Sequence, residues 1–292
     1  MKLSNLTYLG LFIITVLAIG CADKAKEKNA LDNVVPKENT SNKINQVQKK
    51  DKKKGIAYAK KTVDLSRRTD ELNAAWMYSW GSLPNDKIPK EIEFVPMFWG
   101  GNSVNDNNIS RLKELKNKGD VNYILAFNEP DSKKQANMTV DEVIALWPRL
   151  EEIGLPLSSP GAVHPDKEWM IEFMHKADSL KLRVDFVTVH HYGGANAEGF
   201  LNKLQRVHEM YNKPIWITEF AVADWDAKTA DENKHSEDDV LDFMKIVLPK
   251  LEELSYIEKY AWFDGRRAPY ITSSLYDENL KLTKVGEFYS KF

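Results

Sequence analysis

Eight short apolar runs alternate with amphipathic segments between residues 55 and 292, and this alternation restricts the fold more than any other feature. The runs cover residues 55–59, 74–80, 93–99, 122–127, 155–159, 184–190, 214–218 and 257–263. Each is too short for a buried helix, and several are followed closely by Gly or Pro, so they read as strands. Between them, 110–115, 140–153, 169–181, 200–211 and 236–254 carry apolar residues at helical spacing. Thr139 with Glu142 three residues later forms a capping-box signature at the start of one of these segments. Eight buried strands alternating with helices over ~235 residues predict an α/β fold, a single-domain (β/α)8 TIM barrel. A doubly wound sheet is the alternative, but the first strand is not followed by a Gly-rich phosphate loop. Pro96 lacks an N–H, so the third strand is expected to be irregular.

Two strands end on a glutamate. Phe127-Asn128-Glu129-Pro130-Asp131 closes the fourth and Trp216-Ile217-Thr218-Glu219-Phe220 the seventh. The C-terminal ends of barrel strands carry the active site in this architecture. A carboxylate set among Phe, Pro and Trp is costly unless it is paired or used. A structural salt bridge would explain one such acid better than two. Two carboxyl groups facing each other across a sugar are what glycosidic hydrolysis requires.

Other residues follow from position. His190 and Tyr192 end the sixth strand beside Glu219 and are expected to orient it, whereas side-chain alternation sends His191 the opposite way. Sugar rings stack on aromatic faces, and the chain holds 8 Trp and 11 Tyr. Tyr78, Trp80 and Trp99 lie at the ends of the second and third strands, and Trp225 follows the seventh. These four are expected to bind substrate. Counting back from an inward Glu219, Trp216 should face the helices, and Trp76 and Trp147 read as packing residues. Six His and one Cys show no ligand spacing, so neither a metal site nor a cofactor is expected.

The ordered set Phe94-Val95-Pro96-Met97, Trp99-Gly100, Asn128-Glu129-Pro130, Ser159-Pro160, His190-His191-Tyr192, Thr218-Glu219-Phe220 and Tyr260-Ala261-Trp262-Phe263 resembles glycoside hydrolase family 128 of clan A. The resemblance spans residues ~54–292. It departs at Ala126, where the family usually has glycine, and at Gly161, where alanine is common. The resemblance implies a retaining endo-β-1,3-glucanase with Glu129 as acid/base and Glu219 as nucleophile. It also implies that Asn128 binds the sugar 2-hydroxyl and that Trp262 holds the sugar at the cleaved bond. The residues read without it support only a neutral glycan. A β-1,4-mannan, a mixed-linkage glucan, or a glycan-binding protein without catalysis stay open.

The N-terminus has a different character. Lys2, an apolar run from Leu9 to Ile19, and Gly20-Cys21 read as an export signal over residues 1–21. The run is too short to span a bilayer, which takes ~20 apolar residues. Leu17-Ala18-Ile19-Gly20 before the lone Cys21 resembles a bacterial lipobox, implying a lipid-anchored protein of the cell envelope. Residues 22–54 read as a polar linker with a net charge of +5, and the domain 55–292 carries 30 basic and 38 acidic residues, a net of −8. An acidic domain is a poor nucleic-acid binder. The expected partners are a β-glucan and, through the anchor, a membrane; a monomer is expected. Mass spectrometry of the mature protein should find a diacylglyceryl-modified Cys21 at the N-terminus, and an unmodified chain starting elsewhere would refute the anchor.

Overall fold

Six parallel strands lie in the order β3-β2-β1-β6-β5-β4 in the computed structural model, which describes residues 53–292. They are β1 (Lys54–Ala57), β2 (Trp76–Tyr78), β3 (Glu93–Phe94), β4 (Val187–Gly193), β5 (Ile215–Val222) and β6 (Ile257–Phe263). Two narrower segments, at 124–125 and 157–158, close the gap between β3 and β4 through the parallel bridges Met97↔Leu125, Ile124↔Leu157 and Ser158↔Phe186. The eight predicted strand positions are therefore all present and form a closed barrel. The ladder thins where Pro96 removes a donor, although the Pro96 carbonyl still accepts from the Leu125 N–H at 2.8 Å. The predicted signal peptide and Cys21 lie outside the described residues, as does the linker up to residue 52.

Seven helices surround the strands among the described residues: α1 (Leu65–Glu71), α2 (Asp106–Lys118), α3 (Val140–Glu151), α4 (Glu168–Ser179), α5 (Ala197–Tyr211), α6 (Glu237–Glu253) and α7 (Lys284–Ser290). The Thr139–Glu142 capping box forms as read from the sequence, with Glu142 Oε2 accepting from the Thr139 N–H at 2.8 Å. The helices α1 and α7 have seven residues each, too few to build a periodic signal, and sequence reading passed over both.

Apolar residues divide between two layers. One lies between strands and helices; the other fills the barrel with Trp76, Tyr78, Val95, Met97, Phe186 and Trp216. Trp216 is core, as expected, but it faces the barrel interior and not the helices. The reason is a bulge. Val189 pairs with Ile217 and His190 with Glu219, so Thr218 is an extra residue that reverses the alternation. Trp216 and Glu219 consequently point to the same side.

At the N-terminal end of the barrel, Lys259 Nζ meets Glu93 Oε2 at 2.7 Å and lies 5.1 Å from the centroid of the Trp216 ring. Lys53 Nζ donates to the carbonyls of Leu251, Glu252 and Leu254, the orphan acceptors at the end of α6. Lys54 Nζ donates to the Tyr289 carbonyl at 2.7 Å, at the end of α7. Lys53 and Lys54, assigned to the linker from sequence, are thus part of the barrel.

Truncating Trp216 empties the middle of the interior layer and strips Glu258 of its indole donor at 2.9 Å. Trp216→Ala should cost about 3–5 kcal/mol, measured by urea unfolding; a loss below about 1 kcal/mol would contradict this placement.

Candidate active site

Glu129 and Glu219 meet at the C-terminal end of the barrel. Glu129 leaves its strand with φ +43, a left-handed backbone that a non-glycine residue adopts only at a cost of about 1–3 kcal/mol. The turn is fixed by the Glu129 N–H donating to the Gly161 carbonyl at 2.8 Å and by the Ser132 N–H donating to the Glu129 carbonyl at 3.0 Å. Asp131 ties the same loop to the next one, accepting from the Val163 N–H at 2.9 Å and the His164 N–H at 3.1 Å.

Donors enclose Glu219. The Tyr78 hydroxyl donates to Oε1 at 2.6 Å, the Trp80 indole donates to Oε1 at 2.8 Å, and the Tyr192 hydroxyl donates to Oε2. Burial, and after it the Glu219 charge, raises the Tyr78 and Tyr192 pKa values well above the ordinary tyrosine value. Both phenols therefore remain protonated and donate to the carboxyl group between them.

His190 bridges the two acids. Its Nδ1 lies 3.0 Å from Glu129 Oε1 and its Nε2 lies 3.7 Å from Glu219 Oε1. Burial disfavours the imidazolium, but the charges of Glu219 and Glu129 and the hydrogen bond to Glu129 outweigh it, and the net pKa is raised. A Cβ at position 161 would lie 3.0 Å from His190 Nε2, so the glycine lets this ring sit against the neighbouring backbone. His191 stacks on Phe200 at 4.4 Å and still reaches the wall of the cavity over the acids. Burial, with Lys203 nearby, lowers its pKa to about 4.

One ligand atom from each of Glu129, His190 and Glu219 lies within 4.8 Å of the others, a spacing that would also suit a cation. Glu219 Oε1 already accepts from two donors and Oε2 from one, which leaves one lone-pair direction of the carboxyl group for a further partner.

A cavity of about 730 Å³ opens over the acids. Asn128, Glu129, His190, Tyr192, Glu219, Trp80, Trp99 and Trp225 all line it. Asn128 Nδ2 donates to Gln135 at 3.4 Å, while its buried Oδ1 accepts no hydrogen bond from the described residues. Trp225 is 63% exposed, with its indole N–H donating to the Tyr192 carbonyl at 2.9 Å.

Two expected substrate contacts need correction. Trp262 is fully buried between β6 and the helices, packed on Phe220 and Tyr289, and donates to the Ser273 carbonyl at 2.8 Å. Strand alternation turns the next residue, Phe263, toward the cavity instead. Tyr78 is also fully buried, beneath Glu219, and it holds the carboxylate without offering a face to sugar.

Sequence reading missed Phe263, Gln135, Lys203 and Tyr270 as lining residues. Parity along β6 would have found Phe263. Tyr270 sits in an irregular loop, held 5.1 Å from Tyr192 and 5.6 Å from Trp225, where no periodicity marks it.

Comparison with known proteins bears on this site. The family model described as glycosyl hydrolase catalytic core matches residues 55–289. The alkali-sensitive linkage protein 1 of Schizosaccharomyces pombe is 30% identical over 258 residues, 81% of this chain. The match spans 44% of that relative's length. A family 128 (subgroup I) endo-β-1,3-glucanase from Amycolatopsis mediterranei, solved with laminaritriose, is 33% identical, with a TM-score of 0.73 over 82% of this chain and 98% of that one. A subgroup II endo-β-1,3-glucanase from Sorangium cellulosum is 27% identical, with a TM-score of 0.67 over 82% and 98%. The barrel, the paired glutamates and these matches agree: the chain belongs to the glycosyl hydrolase catalytic core family and is a glycoside hydrolase of family 128.

Proposed function

We propose that the protein is a retaining endo-β-1,3-glucanase in which Glu219 is the nucleophile and Glu129 the acid/base. The observation that carries the mechanism is the close approach of the acids, which share His190 and each place an oxygen within 4.8 Å of the other. Retaining enzymes hold their carboxyl groups ~5–5.5 Å apart, whereas inverting ones leave ~6.5–9.5 Å for a water. The β-1,3-glucan substrate is supported by the relatives from Amycolatopsis mediterranei and Sorangium cellulosum, both endo-β-1,3-glucanases.

The residues divide the work. A Glu219 oxygen attacks the anomeric carbon as the glycosidic C–O bond breaks, and Glu129 gives its proton to the leaving oxygen. A water then loses a proton to Glu129 and its oxygen displaces Glu219, returning both acids to their starting states. Tyr78, Trp80 and Tyr192 hold Glu219 in line as its charge is spent and restored. The unpartnered Asn128 Oδ1 is suited to accept from the sugar 2-hydroxyl, a contact that gains strength as the anomeric carbon becomes cationic. Trp225, Trp99 and Trp80 supply faces for stacking. Export and anchoring through Cys21 would bring this activity to the cell envelope.

Glu219→Ala should abolish hydrolysis of laminarin, and Glu129→Ala should lower kcat by about 10²–10⁴-fold. Proton NMR of a fresh digest should show the β-anomer first. The α-anomer first, or full activity in Glu219→Ala, would overturn the double displacement. A parallel panel of β-1,4-mannan and mixed-linkage oligosaccharides tests the linkage.

His190 offers a pH test. Its folded pKa is raised above the ordinary value of 6.5. The stabilisation it contributes is therefore complete below about pH 6.5 and lost as pH rises through the folded value. The stability advantage of wild type over His190→Asn should be larger in acid than in alkali by urea unfolding. An advantage that grows with pH would contradict the bridging role.

A further inference from the structure

A second cavity, of about 840 Å³, lies beside the first, and Trp99 belongs to the walls of both. We propose that it is a distal subsite for the same glycan, so that a long chain crosses Trp99 and continues away from the glutamates. This rests on the glucanase reading above.

The lining has the chemistry of a sugar site. Trp99 is 38% exposed and offers an aromatic face at the boundary between the cavities. Met138 and Leu146 supply apolar surface, and the amides of Asn102 and Asn137 project from it without side-chain hydrogen bonds to other described residues. Free amides beside an aromatic face match the alternating hydroxyls and C–H faces of a pyranose. The lining contains no Lys or Arg. Its one acid, Glu142, already accepts from the Thr139 N–H and hydroxyl in the α3 cap. The cavity is thus suited to a neutral ligand, as a glucan is.

Continuity with the main cavity identifies the occupant. The loop carrying Glu129 continues to Gln135 on the main cavity and Ala136 on the second, so one short segment walls both. Gly101 keeps the floor tight, since a Cβ there would lie 3.3 Å from Leu146 Cδ1. A chain bound over the acids and leaving past Trp99 enters this cavity directly.

The test uses reducing-end-labelled β-1,3-gluco-oligosaccharides of increasing length and two variants remote from the acids. Ala145→Trp fills the second cavity from the exposed face of α3, and the Asn102→Ala/Asn137→Gly pair removes its amides without filling it. Wild type should gain kcat/KM with length. Both variants should lower the long-to-short ratio of kcat/KM by about tenfold, the worth of about 1.4 kcal/mol of binding. Calorimetry in a Glu219→Gln background should show the same loss of affinity for the longest chain. An unchanged ratio with hydrolysis intact would overturn the subsite and leave the glucanase reading standing. Absence of cleavage of any β-1,3-oligosaccharide would overturn the glucanase reading. In that event, equal calorimetric affinities in the plugged and unplugged proteins would overturn the subsite as well.

Discussion

The structure turns on one carboxylate held in a ring of donors. Glu219 sits at the barrel mouth with phenols from β2 and β4 and an indole from the loop after β2 all aimed at it. A carboxyl group this buried would be untenable alone; three donors and a neighbouring imidazole satisfy it. Those donors come from strands that are not neighbours of one another, so the barrel must be closed before the carboxyl group is satisfied. The positive φ of Trp80 follows from the same demand, because the residue leaves β2 in a left-handed turn to bring its indole N–H over the acid.

The bulge at Thr218 lets one strand serve both the core and the site. Below it, Trp216 packs against Phe186 at 4.2 Å in the barrel interior. Above it, Glu219 faces the same side, while Ile217 and Phe220 face the helices. Regular alternation would force a choice, either a tryptophan in the interior or a glutamate at the mouth. One extra residue removes the conflict, at the expense of a break in the ladder.

Much of this was legible in the chain. Strand count, five of the seven helices and the placing of the two glutamates at strand ends follow from apolar patterning, because strands buried on both faces leave a continuous hydrophobic signature and long helices a periodic one. What escaped was local parity. Trp262 and Phe263 differ by one position, and only the alternation within β6 says which of them faces the cavity. Counting along the strand puts Trp216 on the wrong side, because a bulge leaves no mark in hydrophobicity. Tyr78 resembles a platform in the sequence because an aromatic residue at a strand end looks the same whether it meets sugar or holds an acid. Tyr270 depends on loop-to-loop contacts, among them the Pro269 carbonyl accepting from the Asp224 N–H, and these arise only once the barrel is built.

Lys53 and Lys54 enter at the end of the barrel opposite the glutamates, and their ammonium groups clasp the last carbonyls of α6 and α7. These two side chains therefore form a clamp on the backbone acceptors of two helices. The two helix ends and the first strand are thus locked together at the base of the barrel, so the strand ends that carry Glu129 and Glu219 can be shaped without disturbing this clamp.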